Sequence, residues 1–434
     1  MNDLAGFCRE LAEQAPEGPL LLALSGGLDS SLLLHLMIRA GFGPRLSVVH
    51  VDHQLQADSH QWSRFCQSLA ENHGVPFFIR QVRVDSSEGL EAGAREARYG
   101  VLLPLATELG ATLVTAHHRS DQAETLLLRL LRGAGVQGLS AMRALTLRDG
   151  VVIWRPLLSL DRHLLKRWAD DEQLRWLDDP SNQDLGLRRN LLRHRVMPQL
   201  RQQWQGADAT LARAADHMAE AAGLLEEIAL SDAASLGVSG RKLPLSELHR
   251  LSPSRQRNLF RWWLQANGAT APSQAVLAEL LAMQQAADDS QARVEWGCWG
   301  VRLYRGALYL SERNGFAPWS GTALWQDGNA PPALPNWRWS RTDEEGAVPV
   351  LRPAGDLVLK GLGGASKIQR NGMHQQVKEL WRAAGVPPWH RKQWPLLYRD
   401  NDLVSVPQVG LAEGEDARAC EQWYLIPEIN AERG

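Results

Sequence analysis

The chain has 434 residues, with 47 Lys and Arg against 49 Asp and Glu and a formal net charge of −2. That is enough for two or three domains, and the bulk charge announces no polyanionic partner, so any basic surface must be local. No window approaches about eighteen uncharged apolar residues, and Asp3, Arg9, Glu10, Glu13 and Glu17 crowd the start, a pattern that excludes a membrane span and a secretory leader.

Leu20–Leu24 is a short, unbroken apolar run and reads as an interior strand. Further strands are expected at Arg45–Val51, Pro76–Val82, Ala111–Ala116 and Val151–Trp154, with helices at about 29–40, 57–73, 88–109 and 120–132 filling the gaps. Alternating buried strands and helices imply an α/β domain whose parallel sheet is covered on both faces. The region 160–230 reads as mainly helical. Two more helices are expected around Ser252–Ala266 and Ser273–Ala286, then a hairpin or small meander over Arg293–Leu310. The stretch 311–348, rich in Pro, Gly and Trp, reads as an extended connector to a compact terminal module. The four cysteines (Cys8, Cys66, Cys298, Cys420) form no CxxC pair, which argues against a disulfide framework and fits a reducing cytoplasm. The 17 tryptophans are expected mostly to pack cores, with a few open to base stacking.

Polar clusters follow three of the strands, where open α/β sheets bind ligands. The first is Ser25-Gly26-Gly27-Leu28-Asp29-Ser30. Its glycines let backbone N–H groups approach an anion, and the helix start adds free donors. It lacks the Lys-Ser/Thr of a Walker A loop. Asp29 suits Mg²⁺ through oxygen, so the turn fits the pyrophosphate portion of ATP. The second cluster, His50-Val51-Asp52-His53, can reach a ribose or a base, or its histidines are simply structural. The third, Thr115–Gly135, places Asp121 and Glu124 at i and i+3 on the first turn of a helix, with His117 and His118 just before it. Those carboxylates either cap the helix or orient a nucleophile or cation. Arg95 and Arg98 share a helix face that can meet phosphate. Arg188, Arg189, Arg193 and Arg195 are candidates for RNA phosphate contacts, or an ordinary charged face. Near the end, Lys378, Arg382, Arg391 and Lys392 interleave with Trp381, Trp389 and Trp394, a pattern suited to nucleic acid.

Together SGGLDS, HVDHQLQ, EAGAREARY, TAHHRSDQAETLLLRLLRGAG, RPLL and DPSN with RRNLLR resemble one family, the tRNA(Ile)-lysidine synthetases of the PP-loop ATP pyrophosphatases. The segment KELWRAAGVPPWHRKQWPLLY extends the resemblance through most of the chain. One departure is that Gln54 and Gln56 stand where the second motif usually has Gly and Arg. The resemblance implies a Rossmann-like PP-loop domain (1–215), a mainly helical tRNA-binding middle domain ending in a hairpin (216–315), the connector (316–348) and a small α+β tRNA-binding domain (349–434).

It also implies a reaction. ATP adenylates O2 of cytidine 34 in the CAU anticodon of tRNA(Ile), releasing pyrophosphate, and the amine of free L-lysine then displaces AMP to give lysidine. Ser25, Gly26, Gly27, Leu28, Asp29, Ser30, His50 and Asp52 would bind ATP, with Asp29 on Mg²⁺. His117, Asp121 and Glu124 match family positions implicated in catalysis, the carboxylates binding the lysine amine and stripping its protons. Arg98 or Arg95 would steady phosphate charge. Arg188, Arg189, Arg193, Arg195 and the four terminal basic residues would grip tRNA. The expected setting is cytoplasmic, without membrane contact, and admits a homodimer. The main alternative is a PP-loop tRNA thiolase, for which the cysteines lack a suitable pair. A small-molecule PP-loop ligase and a non-catalytic tRNA-binding protein are the others.

Overall fold

The computed structural model describes residues 3–53, 59–83, 90–286, 292–312, 319–334, 337–344, 347–363 and 366–427. Gln54, Gln56 and Gly89 lie outside them, as do the outer ends of the expected helices at 57–58 and 88–89. The chain divides into two compact units, Met1–Leu224 and Leu225–Gly434.

In the first unit, α1 (Leu4–Gln14) precedes β1 (Leu20–Ala23), α2 (Leu28–Arg39), β2 (Leu46–Asp52), α3 (Ser59–Asn72), β3 (Phe77–Gln81), α4 (Leu90–Glu108), β4 (Thr112–Val114) and α5 (Arg119–Leu131). A short α6 (Val136–Leu139), β5 (Leu145–Arg148), β6 (Val151–Trp154) and α7 (Arg162–Asp171) follow. The sheet order is β3-β2-β1-β4-β6-β5, parallel except for the antiparallel edge strand β5. An unbroken apolar β1 follows from that position. Leu20, Leu22 and Leu24 pack with α1, α2 and α7 on one face, while Leu21 packs with Leu102, Leu105 and Ala106 of α4 on the other.

The strand order reverses direction at β1. The chain winds outward through β2 and β3, then α4 returns it to β4 on the opposite side of β1. Loops leaving β1 and β4 therefore diverge, opening a crevice at their carboxyl ends. The SGGLDS turn follows β1, and His117 and His118 follow β4. Strand β5 was not expected from the pattern, although Asp149-Gly150 supplies the two left-handed residues of a tight hairpin (φ +49° and +78°). Beyond α7, α8 (Arg188–Leu191) and α9 (Met197–Gln203) are joined through one wide π turn at Leu192–Val196. The next helix is α10 (Ala207–Leu236).

In the second unit, β7 (Lys242–Pro244), β8 (Arg293–Trp296), β9 (Trp299–Tyr304) and β10 (Ala307–Glu312) form a meander in the order β7-β10-β9-β8. Against it pack α11 (Pro253–Ala266) and α12 (Gln274–Ala282), through Phe260, Trp263, Leu277 and Leu280. The expected connector is a correction. It contributes β11 (Thr322–Trp325) and β12 (Trp337–Ser340), which join sheets with strands from the terminal module. Those strands are β13 (Val348–Arg352), β14 (Leu357–Lys360), β17 (Leu396–Arg399), β18 (Asp402–Val406), β19 (Gly410–Leu411) and β20 (Glu421–Pro427). The hairpin β15 (Lys367–Arg370) and β16 (Met373–Gln376) leads into α13 (Val377–Ala383). Trp325, Trp337, Trp381 and Trp394 are buried in this core, so the aromatic richness of 319–339 is structural. Among the described residues no helix is long and apolar enough to cross a membrane.

Candidate active site

The turn after β1 is built by constraint. Gly26 sits at φ +81°, and a Cβ there would lie 3.1 Å from the Cys66 Sγ of α3. Its carbonyl accepts from the Leu177 amide at 2.9 Å, so the segment after α7 is fastened to the turn. The Ser30 hydroxyl donates to the Gly27 carbonyl at 3.1 Å and accepts from the Ser25 amide at 3.2 Å, drawing the turn into a ring. Gly27 caps α2 with no side chain, which leaves the first-turn N–H groups open toward an anion. Gly26→Ala is expected to cost about 1–3 kcal/mol through strain alone, seen as a lowered urea midpoint; an unshifted midpoint would show that the turn tolerates a side chain.

Asp29 stands on the first turn of α2. Its Oδ1 is buried with no hydrogen-bond partner. Burial pushes the carboxyl above the usual range; His118 pulls it back and Asp121 pushes it further up. Its Oδ2 lies 3.6 Å from His118 Nε2.

His118 links the two loops. It is the N-cap of α5, its Nδ1 accepting from the Asp121 amide at 3.4 Å while Asp121 Oδ2 accepts from the His118 amide at 3.0 Å. His118 Nε2 is also 3.4 Å from Asp121 Oδ2. The same side chain therefore touches the carboxylate of the first loop and that of the third. His117 lies beside it, with Nδ1 2.9 Å from the Thr115 hydroxyl. Burial pushes His117 down to about 3, and Arg155, Arg189 and Arg95 act in the same direction against Asp121, so its imidazole is neutral at physiological pH.

Two arginines from the 188–196 helix face this acid pair. Arg189 donates Nε to Glu124 Oε2 at 2.9 Å and Nη2 to Asp121 Oδ1 at 3.0 Å. Arg193 donates Nε to Glu124 Oε1 at 2.8 Å, and Nη2 to Asp121 Oδ1 and Glu124 Oε2, each at 2.9 Å. Glu124 is 1 % exposed, so its charge is matched by these forks rather than by water. Burial alone would lift the Asp121 carboxyl, but His118, Arg189, His117 and Arg193 outweigh it and hold the group far below the usual range.

This arrangement corrects two expectations. Arg189 and Arg193 do not lie on a solvated face waiting for RNA; they clamp the acid pair. Arg188 and Arg195 are exposed on the same run and remain available to a polyanion. Asp121, held so firmly ionised, is a weak proton acceptor at neutral pH, which suits it to holding a cationic amine more than to stripping one. The spacing of Arg189 and Arg193 at i and i+4, matched to acids at i and i+3, was the available signal.

On the other side, His50 donates Nδ1 to the Leu24 carbonyl at 2.9 Å, and burial lowers its affinity for a proton. Asp52 is buried at the carboxyl end of β2. Arg98 Nη2 lies 3.4 Å from His53 Nε2, and burial with the Arg98 charge pushes His53 down to about 4. Arg98 thus reaches the loop after β2, whereas Arg95 lies over the Tyr99 ring at 5.3 Å. Among the described residues no group of three or more His, Cys, Asp and Glu is placed to hold a metal. Cys66 is buried against the turn, and burial pushes its thiol up to about 12, which leaves it inert toward sulfur transfer. In the second unit Lys378, Arg382 and Lys392 are exposed, while Arg391 is pinned to the Val386 carbonyl and the Tyr304 hydroxyl.

The chain matches a PP-loop domain over residues 4–200, a TilS substrate binding domain over 243–309 and a TilS substrate C-terminal domain over 358–426. It is 38 % identical over 422 residues to the tRNA(Ile)-lysidine synthase of Alkalilimnicola ehrlichii, covering 95 % of this chain and 94 % of that one. The chain belongs to the tRNA(Ile)-lysidine synthase family. The enzyme of the same name from Pseudomonas syringae is also 38 % identical, over 93 % of this chain and 91 % of its own. Among solved structures, the U34-tRNA thiolase NcsA from Methanococcus maripaludis with its [4Fe-4S] cluster aligns with 50 % of this chain and 78 % of its own, at TM-score 0.43 and 15 % identity, a likeness too slight to bear on activity.

Proposed function

We propose that the chain ligates free L-lysine to C2 of cytidine 34 in the CAU anticodon of tRNA(Ile), with ATP cleaved to AMP and pyrophosphate. The observation that carries this reading is the junction at His118, whose side chain lies within 3.6 Å of Asp29 and 3.4 Å of Asp121. An anion cradle and an acid pair suited to an ammonium therefore share one crevice at the β1/β4 switch point.

In the first step the cytidine O2 forms a bond to the α-phosphorus and pyrophosphate leaves. The open N–H groups of α2 receive that leaving group, and Arg98 balances charge near the loop after β2. In the second step the lysine side-chain amine bonds to C2, and AMP departs with O2. Asp121 and Glu124 hold the incoming ammonium at the margin of the arginine clamp. The proton that the amine must lose passes to solvent, because Asp121 is held ionised and His117 is pushed down to about 3, so neither is a strong base at neutral pH. A nucleoside triphosphate also asks for Mg²⁺. Asp29 fits that ion, because Oδ1 is a buried carboxylate oxygen with no other partner beside a phosphate cradle. Bound there, Mg²⁺ would offset phosphate charge. Arg188 and Arg195, with Lys378, Arg382 and Lys392, are the exposed cations proposed to meet tRNA; cytoplasmic placement and a homodimer belong to the same reading.

The test is direct. Purified protein is incubated with ATP, radiolabelled lysine and bulk tRNA. Label is expected at one cytidine of one tRNA, with pyrophosphate release dependent on that tRNA. Pyrophosphate release with no lysine incorporated would overturn the reading.

A further inference from the structure

Every oxygen of the acid pair on α5 is already engaged. Asp121 Oδ1 accepts from Arg189 Nη2 and Arg193 Nη2, at 3.0 and 2.9 Å, and its Oδ2 accepts from the His118 amide at 3.0 Å. Glu124 Oε1 accepts from Arg193 Nε at 2.8 Å, and Oε2 from Arg189 Nε and Arg193 Nη2, both at 2.9 Å. The Asp121 side chain is 11 % exposed and that of Glu124 1 %, so the packing that shuts out water also shuts out an ammonium. Two carboxylates facing two guanidiniums are in charge balance, and a third cation entering among them would meet more repulsion than attraction. A lysine amine that pairs with both acids must therefore displace a guanidinium. All the residues concerned lie in the first unit.

The two arginines are not equally fixed. Arg189 stands on α8, where its buried neighbour Asn190 donates Nδ2 to the Asp184 carbonyl at 3.0 Å and anchors the helix. Arg193 stands inside the π turn. Pro198 has no N–H to give the His194 carbonyl one turn back, and the Met197 amide donates instead to the wider-spaced Leu192 carbonyl. Turns of this kind interrupt the α-helical register and are frequent at functional sites. The Arg193 charge also has a second anion in range. It is among the groups that pull the Asp29 carboxyl down, and Asp29 in turn strengthens the hold of Arg193 on its proton. Asp29 borders the phosphate cradle on the first turn of α2.

We propose that Arg193 keeps the lysine-amine site closed in the free protein, and that a triphosphate in the cradle draws its guanidinium off the acid pair, so that nucleotide binds before the amino acid. The exchange keeps the charges matched. Arg193 leaves the two carboxylates for phosphate oxygens, which a guanidinium meets with the same planar fork. The ammonium takes its place beside Arg189. Until nucleotide is present, the acid pair is shielded from other amines. Coupling of this kind is reciprocal: the factor by which nucleotide tightens lysine is the factor by which lysine tightens nucleotide. The proposal rests on the assignment of Asp121 and Glu124 to the lysine amine; it adds an order of binding and names the residue that imposes it.

The test measures binding without turnover. The full chain, with no tRNA present, is titrated with radiolabelled L-lysine in equilibrium dialysis, with and without saturating α,β-methylene-ATP, whose bridge cannot be cleaved to release pyrophosphate. Wild type is expected to bind lysine at least about 10-fold more tightly with the analogue, and lysine should tighten the analogue by the same factor. Arg193→Ala should bind lysine alone about as tightly as wild type binds it with the analogue, so that the coupling falls to within about 2-fold. If Arg193→Ala loses its cooperative urea transition, Arg193→Gln, which keeps an N–H donor without the charge, replaces it. Equal lysine affinity of wild type with and without the analogue would overturn the proposal, and so would a coupling that survives in the Arg193 variant. A chain that binds lysine in neither state, wild type and variant alike, would instead overturn the reading of the acid pair as the amine site.

Discussion

Asp29→Asn is expected to lower tRNA-dependent pyrophosphate release by at least about 10²–10³-fold, while the folded chain becomes no less stable and, in neutral buffer, more stable. The two halves have one cause. Asp29 Oδ1 is buried and takes no hydrogen bond, and burial lifts the carboxyl above its ordinary range. A carboxyl that binds its proton more tightly when folded makes stability fall as pH rises from the unfolded value through the raised folded one. Above that window the full cost of the buried charge is present. Asparagine carries no charge and escapes that cost, so the difference in urea midpoint between the two proteins should be small in acid and grow toward neutral pH. A residue kept only for packing would behave oppositely, losing stability with activity. Binding of tRNA, measured separately, should persist, since Asp29 faces the phosphate cradle. Normal turnover by Asp29→Asn would remove the cation-binding role assigned to this oxygen, and a lowered midpoint at neutral pH would remove the argument from burial.

Much of the first unit was legible because its signals are local. Leu20–Leu24 had to be an interior strand, since an unbroken apolar run can hide only between two covered faces, and Leu20 and Leu21 do pack on opposite ones. The loops after β1 and β4 could be placed at one sheet edge from chain order alone. What escaped were features settled across distance. Strand β5 is a four-residue edge that alternates with its apolar side chains outward, Leu147 being 70 % exposed, the reverse of a half-buried strand. The region 319–340 looked like a connector because its strands are four residues long and pair with partners 32 to 90 positions away. Likewise, four arginines on one helical run gave no hint of division, yet Arg189 and Arg193 turn toward acids on α5 while Arg188 and Arg195 face solvent.

That division yields the second large effect. Arg193→Ala should destabilise the chain by about 3 kcal/mol, toward the lower end of what breaking a buried ion pair costs. The substitution removes two of the three N–H donors that Arg189 and Arg193 supply to Glu124 and one of two from them to Asp121; Arg189 keeps the remainder, which limits the loss. Arg188→Ala, one turn earlier and exposed, should stay within about 0.5 kcal/mol of wild type. A double-mutant cycle separates charge from packing. Adding Glu124→Gln to Arg193→Ala removes the carboxylate that has lost its partner, so the double variant should be more stable than the sum of the two single losses, by a coupling of at least about 1 kcal/mol. Losses that simply add would mean that the arginine acts by filling space. The clamp also bears on chemistry. With Arg193 gone, less positive charge faces Asp121, and its carboxyl should move back up toward its usual range while remaining ionised at neutral pH. Lysine would then meet an acid pair with fewer competing cations, so KM for lysine should fall while the acid limb of kcat/KM shifts to higher pH. A KM for lysine that rises instead would show that the guanidinium shapes the amine's pocket and does not contend for it.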